Sequence, residues 1–106
     1  MMEYGIADDD AALIKKIFAS FPCIKSVVLF GSRAMGRNKP GSDIDFAIVA
    51  DKMSFTEFLD LEDQLAQIGM LIKIDIQDLS KIKDAEVLGH ISQVGKVFYT
   101  KDETSA

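Results

Sequence analysis

Gly31-Ser32-Arg33-Ala34-Met35-Gly36-Arg37-Asn38-Lys39-Pro40-Gly41-Ser42-Asp43-Ile44-Asp45 is the stretch on which the reading of this chain turns. It follows the apolar run Val27-Val28-Leu29-Phe30 and leads into Phe46-Ala47-Ile48-Val49. Short apolar runs of this kind, rich in β-branched and aromatic residues and bounded by glycine, spell buried strands. Strands are therefore predicted over Lys25 to Phe30 and over Asp43 to Val49, joined by the densest turn chemistry in the sequence. Within that connection Pro40-Gly41 suits the two central positions of a type II turn.

Upstream, Leu13, Ile14, Ile17, Phe18 and Phe21 recur at helical spacing, with Asp10 as the expected cap and Pro22 as the stop. The run Asp8 to Asp10 reads as cap plus favourable charge at the helix's positive end. Downstream, Ser54 and Glu57 form a capping box, with Met53 and Phe58 placed as a hydrophobic staple. The helix they open buries Phe58, Leu61, Leu65 and Ile68 and closes at Gly69. Met70 to Ile76 alternates as a third strand. A last helix from about Asp84 to Val94 carries Val87, Leu88, Ile91 and Val94, ends at Gly95, and is followed by a fourth strand, Lys96 to Thr100. The order predicts a mixed α/β (α+β) fold, a small sheet covered by helices, as a single domain over residues 1–106.

Composition narrows the function. The chain has 106 residues, 48% of them hydrophobic and 27% charged, as a folded globular domain has. Its longest apolar runs fall far short of the roughly 20 residues that a bilayer span needs, so no membrane role is expected. The beginning of the sequence is acidic where a targeting peptide would be basic, and one cysteine, Cys23, cannot pair internally; both fit the cytoplasm. A net charge of −5 argues against stable nucleic-acid binding through phosphate neutralisation. The two arginines, Arg33 and Arg37, nevertheless share one window with Lys39. Guanidinium forks grip phosphate and carboxylate, so this basic island points to a small anionic ligand.

Aspartate is depleted in strands, yet Asp43 and Asp45 open one, two residues apart and on one face. Asp75 stands in the next strand pattern, between Ile74 and Ile76. Carboxylates gathered this way repel and rise in pKa unless a cation compensates, and an oxygen set with positions left for water and phosphate suits Mg²⁺ or Mn²⁺. An EF-hand is excluded because Asp45 runs straight into apolar strand residues, and zinc because the chain has one histidine, His90, and one cysteine. His90 reads as a helix-surface or interface residue, Cys23 as a small packed one. Gly31-Ser32 at a strand exit would turn backbone N–H groups toward an anion. A P-loop is excluded, since Arg37-Asn38 stand where Lys-Ser/Thr is required.

Gly31-Ser32, ten intervening residues, Asp43-Ile44-Asp45 and then Asp75 resemble the signature of the nucleotidyltransferase superfamily that includes DNA polymerase β. The run Gly31-Ser32-Arg33-Ala34-Met35-Gly36 is similar to that of the minimal nucleotidyltransferases, short proteins encoded beside a HEPN-domain partner in toxin–antitoxin-like pairs. The resemblance implies that Gly31 and Ser32 hold the β and γ phosphates of ATP. It also implies that Asp43 and Asp45 bind one Mg²⁺ (or Mn²⁺) and that Asp75 joins them at a second. Arg33 and Arg37 become candidates for phosphate or acceptor contacts, while Ser42, a further candidate nucleotide-binding residue, also shapes the turn before Asp43. The implied function is Mg²⁺-dependent transfer of AMP to a hydroxyl, for which the family offers a tyrosine of the HEPN toxin. Alternatives are an antitoxin subunit acting by stoichiometric binding and one part of an antibiotic-type nucleotidyltransferase. A chain this short lacks an acceptor-binding domain, so a homo- or hetero-oligomer is expected.

Overall fold

The computed structural model describes residues 2–39 and 41–101. Its elements run β1 (Met2–Glu3), β2 (Ile6–Ala7), α1 (Asp8–Ala19), β3 (Ile24–Phe30), β4 (Ile44–Ala50), α2 (Phe55–Ala66), β5 (Ile74–Asp78), a 3-10 turn (Leu79–Lys81), α3 (Ala85–Val94) and β6 (Lys96–Thr100). The main sheet has the order β5-β4-β3-β6. β3 pairs antiparallel with both β4 and β6, whereas β4 and β5 run parallel because α2 carries the chain back between them.

Alternation along the two central strands divides the interior into two layers. Val27 and Leu29 of β3 and Ile44, Phe46 and Ile48 of β4 join Ile14 and Phe18 of α1 and Leu61 and Leu65 of α2 in one buried cluster. The intervening residues Phe30 and Ala47 face the other way, against Ile91 of α3. Aromatic rings knit the first layer: Phe18 meets Phe46 edge-on at 5.4 Å, and Phe46 meets Phe98 at 4.8 Å. Since Phe46 and Ala47 bury opposite faces, Asp45 projects on the α3 side of the sheet, away from the larger core.

The capping box at α2 is present as read: the Glu57 N–H donates to Ser54 Oγ at 3.0 Å and the Ser54 N–H to Glu57 Oε1 at 2.9 Å. α3 and β6 also fall where expected, with Asp84 accepting the Glu86 N–H at 2.9 Å as cap.

Several expectations are corrected. α1 starts at Asp8 rather than under an Asp10 cap: Ala7 is its N-cap, with no side-chain cap, and the three aspartates line its first turn. Its inner stripe is Ala11, Ile14 and Phe18, leaving Leu13 48% exposed, and Phe21 is buried beyond the helix's end. The third strand is shifted, Ile74–Asp78 in place of Met70 to Ile76, because β4 offers a partner only from Ile44, which pairs with Ile74. The preceding Leu71 is fully exposed. The small β1–β2 hairpin escaped the sequence reading, since two-residue strands show no period; Tyr4 and Gly5, at φ 55° and 77°, form the positive-φ pair of a tight hairpin turn. Pro40, half of the expected type II turn, lies outside the described residues; Gly41 has φ 85°.

Candidate active site

The sequence-read carboxylates meet where β3 ends and β4 and β5 begin. Asp45 sits opposite Phe30 across the antiparallel pair and opposite Asp75 across the parallel one. Partners in a parallel register share a face, and neighbouring strands lie about 4.8 Å apart, so the Asp45 and Asp75 side chains stand side by side. Asp43, just before β4 and exposed, joins them two residues upstream. The electrostatic signature is carried by Asp45. Burial, then the charges of Asp75 and Asp43, hold its carboxyl above the ordinary value of 3.8, against the opposing charge of Arg33.

Gly31 closes the site from the β3 side. Its φ is 78°, and a Cβ built there would run into the Asp45 carboxylate oxygen Oδ2. Only glycine combines that left-handed conformation with so close an approach. The following residues coil into consecutive turns, with the Met35 N–H donating to the Gly31 carbonyl at 3.3 Å and the Arg37 N–H to the Ser32 carbonyl at 2.8 Å. Ser32 is half-buried at the first of these turns.

Arg33 departs from the anion contact proposed for it. It is 3% exposed, and its fork is committed to backbone: Nε and Nη2 donate to the Ser42 carbonyl at 3.1 and 2.6 Å, and Nη1 donates to the Tyr4 carbonyl at 3.0 Å. It ties the connecting loop and the β1–β2 hairpin to the entry of β4, and so fixes where Asp43 and Asp45 begin. A Cβ on Gly5 would strike Arg33 Nη1 at 2.6 Å, which explains a glycine at that hairpin position. Ser42 has the turn-shaping role read for it, its Oγ accepting the Lys39 N–H at 2.8 Å. Arg37 is exposed and lines a shallow cavity of about 340 Å³ with Met35, Gln93 and Lys96.

His90 was missed. Read as a helix-surface or interface residue, it is half-buried against the glycine turn: its Nε2 accepts the Gly31 N–H at 3.2 Å, and its ring stands edge-on to Phe30 at 6.3 Å. The signal was present, because Val87, His90, Ile91 and Val94 stand at i, i+3, i+4 and i+7, on one stripe of α3. What that stripe faces was not legible.

The donor set fits a hard divalent cation. Among the described residues no group of three or more His, Cys, Asp or Glu side chains is placed to hold a metal ion by itself. Mg²⁺ is commonly held by one or two carboxylates completed by substrate phosphates and water, and the like-charge strain at Asp45 is what a bound cation relieves.

A four-stranded mixed sheet with helices on both faces, a glycine turn at the end of one strand and acids at the start of the next two define a nucleotidyltransferase-class α+β fold. The chain belongs to the polymerase beta, nucleotidyltransferase family, whose model matches residues 13–104. Among solved structures it is similar to a toxin–antitoxin structure with AMP-PNP, at TM-score 0.69 and 24% identity over 89% of this chain and 76% of that one. It is also similar to the MntA–HepT toxin–antitoxin structure (TM-score 0.66, 21% identity, 92% and 76% covered). A third is a tri-AMPylated Shewanella oneidensis HEPN toxin in complex with its MNT antitoxin (TM-score 0.64, 21% identity, 91% and 74% covered). A search of curated proteins gives no match. Among the described residues no helix is long and apolar enough to cross a membrane.

Proposed function

We propose that this protein transfers AMP from ATP to a hydroxyl of a HEPN-domain partner, most simply a tyrosine, and thereby acts as the antitoxin of a two-protein system. The observation that carries this reading is the approach of the Gly31 turn to the Asp45–Asp75 carboxylate pair, with no room for a side chain between them. A turn presenting N–H groups beside a carboxylate cluster brings a triphosphate and its counter-cation to one place. The AMP-PNP and AMPylated-toxin structures among the neighbours support ATP as donor and a HEPN protein as partner.

In this reading Gly31 and Ser32 orient the β and γ phosphates, and Arg37, the exposed arginine of the loop, supplies charge at their open side. Asp43, Asp45 and Asp75 would hold two Mg²⁺ ions, or Mn²⁺ in their place. When bound, such ions neutralise phosphate charge and lower the pKa of an acceptor hydroxyl. The acceptor oxygen bonds to the α-phosphorus as the bond from that phosphorus to pyrophosphate breaks, and Asp75 takes the hydroxyl proton. Arg33 and Ser42 act one step back, by setting the loop. The acceptor is brought by the partner. The reading places the pair in the cytoplasm, a compartment that suits the free thiol of Cys23.

The test is to incubate the protein with ATP, Mg²⁺ and the HEPN protein and to weigh the partner by intact mass spectrometry. The expected result is a gain of one or more AMP groups that is lost with Asp45→Asn. Inhibition of the partner that survives Asp45→Asn without any adduct overturns the proposal in favour of stoichiometric binding. Adenylylation of a small-molecule hydroxyl, but not of the partner, would assign the site to the antibiotic-type chemistry.

A further inference from the structure

The hydrogen bond from Gly31 to His90 has a consequence for the site proposed above, and the inference rests on that proposal. A phosphate held by the turn needs backbone N–H donors, yet the first of them is already donating, to His90 Nε2 at 3.2 Å. The imidazole is an acceptor at that nitrogen, so in its neutral form the proton is on Nδ1. The contact spans 59 residues and joins α3 to the end of β3, while Phe30 holds the ring edge-on from beneath. No local turn geometry demands it. The Gly31 φ is 78°, and the Asp45 carboxylate lies against the position where a Cβ would stand.

We propose that His90 is a built-in competitor of the nucleotide: in the free chain it occupies the Gly31 N–H that a phosphate oxygen takes on binding. Loading the site exchanges one acceptor for another and releases His90 on α3. A backbone hydrogen bond of this kind is worth about 0.5–1.5 kcal/mol net, so the competition weakens ATP binding by roughly two- to tenfold. The device keeps an unloaded turn satisfied, since a half-buried N–H beside a carboxylate cluster would otherwise lack a partner.

Equilibrium titration with AMP-PNP in Mg²⁺, on the intact chain, tests this. His90→Ala is expected to bind about two- to tenfold more tightly than the natural chain. His90→Gln, whose amide oxygen can accept the same N–H, is expected to stay within about twofold of it. On ¹⁵N-labelled protein the Nε2 resonance of His90 should report an accepted hydrogen bond without nucleotide and lose it on saturation. Equal or weaker binding by His90→Ala, with its melting temperature retained, overturns the proposal; so does an Nε2 signal that saturation leaves unchanged. If neither the natural chain nor His90→Ala binds AMP-PNP, the nucleotide reading of the site falls and the competitor falls with it. If the natural chain binds and His90→Ala gains nothing, only the competitor falls.

Discussion

Gly31 and Asp45 show how much rests on two residues. Gly31→Ala places a methyl group in a left-handed backbone conformation, at a cost of about 1–2 kcal/mol, and pushes it against the carboxylate that the site needs. We expect a lower melting temperature in thermal denaturation together with loss of the Mg²⁺-induced rise that the proposed site predicts for the natural chain. Asp45 behaves in the opposite sense. Its folded carboxyl lies above 3.8 through burial and the charges of Asp75 and Asp43, so the folded state binds the proton more tightly than the unfolded state. Without metal, the stability associated with the protonated form is fully present below that ordinary value and is lost as pH rises through the folded one. Asp45→Asn is therefore expected to raise the metal-free melting temperature at pH 7, with a gain that shrinks toward pH 3; a loss at pH 7 would contradict the like-charge account. Cys23 is the quiet residue of the chain. Burial and the nearby Glu57 charge push its thiol up, which keeps it protonated and slow toward alkylating reagents at neutral pH.

Elements are held by devices that the sequence displays with unequal clarity. The Ser54–Glu57 box lies within four residues, and its geometry is the one read from those residues. Ser54→Ala is expected to cost about 1 kcal/mol in urea denaturation. The hydrogen bonds from the Ser54 backbone and side chain hold the Glu57 carboxyl below its ordinary 4.5. The sign follows: this contribution is complete above pH 4.5 and is lost as pH falls through the folded value. The deficit of a Glu57→Gln variant should therefore narrow in acid. The loop from Gly31 to Ser42 depends instead on a buried guanidinium whose partners, Tyr4 and Ser42, lie 29 and 9 residues away. Arg33→Met is expected to cost about 2–4 kcal/mol, because it strands carbonyls that the buried fork satisfies. An arginine near a glycine turn reads equally as ligand contact or as brace, and burial alone separates the two. The third strand was misplaced for a related reason: alternating Ile72, Ile74 and Ile76 has the right period, but the start of β4 decides where pairing begins.

For the whole molecule, one small sheet supports two different layers. The α1–α2 side carries the larger core, and the α3 side carries the carboxylates, the glycine turn and His90. Ligand binding on the second side should stabilise the entire fold, since a cation held only by the folded state adds RT ln(1 + [L]/Kd) to its stability. Mg²⁺ at about 100 times its Kd should thus contribute about 2.7 kcal/mol, read as a rise in melting temperature that Asp43→Asn largely abolishes. An equal rise in both proteins would move the cation elsewhere. The sequence by itself determined the alternation of helices and strands, the α2 cap, and the spacing of Gly31, Ser32, Asp43, Asp45 and Asp75, because each is a local pattern of period, capping or turn chemistry. Tertiary structure alone decided that Asp75 stands in register with Asp45, that Arg33 is buried, and that His90 reaches Gly31. Those facts depend on which strand pairs with which and which helix face meets the sheet, and such long-range choices are settled by the packing of the whole chain.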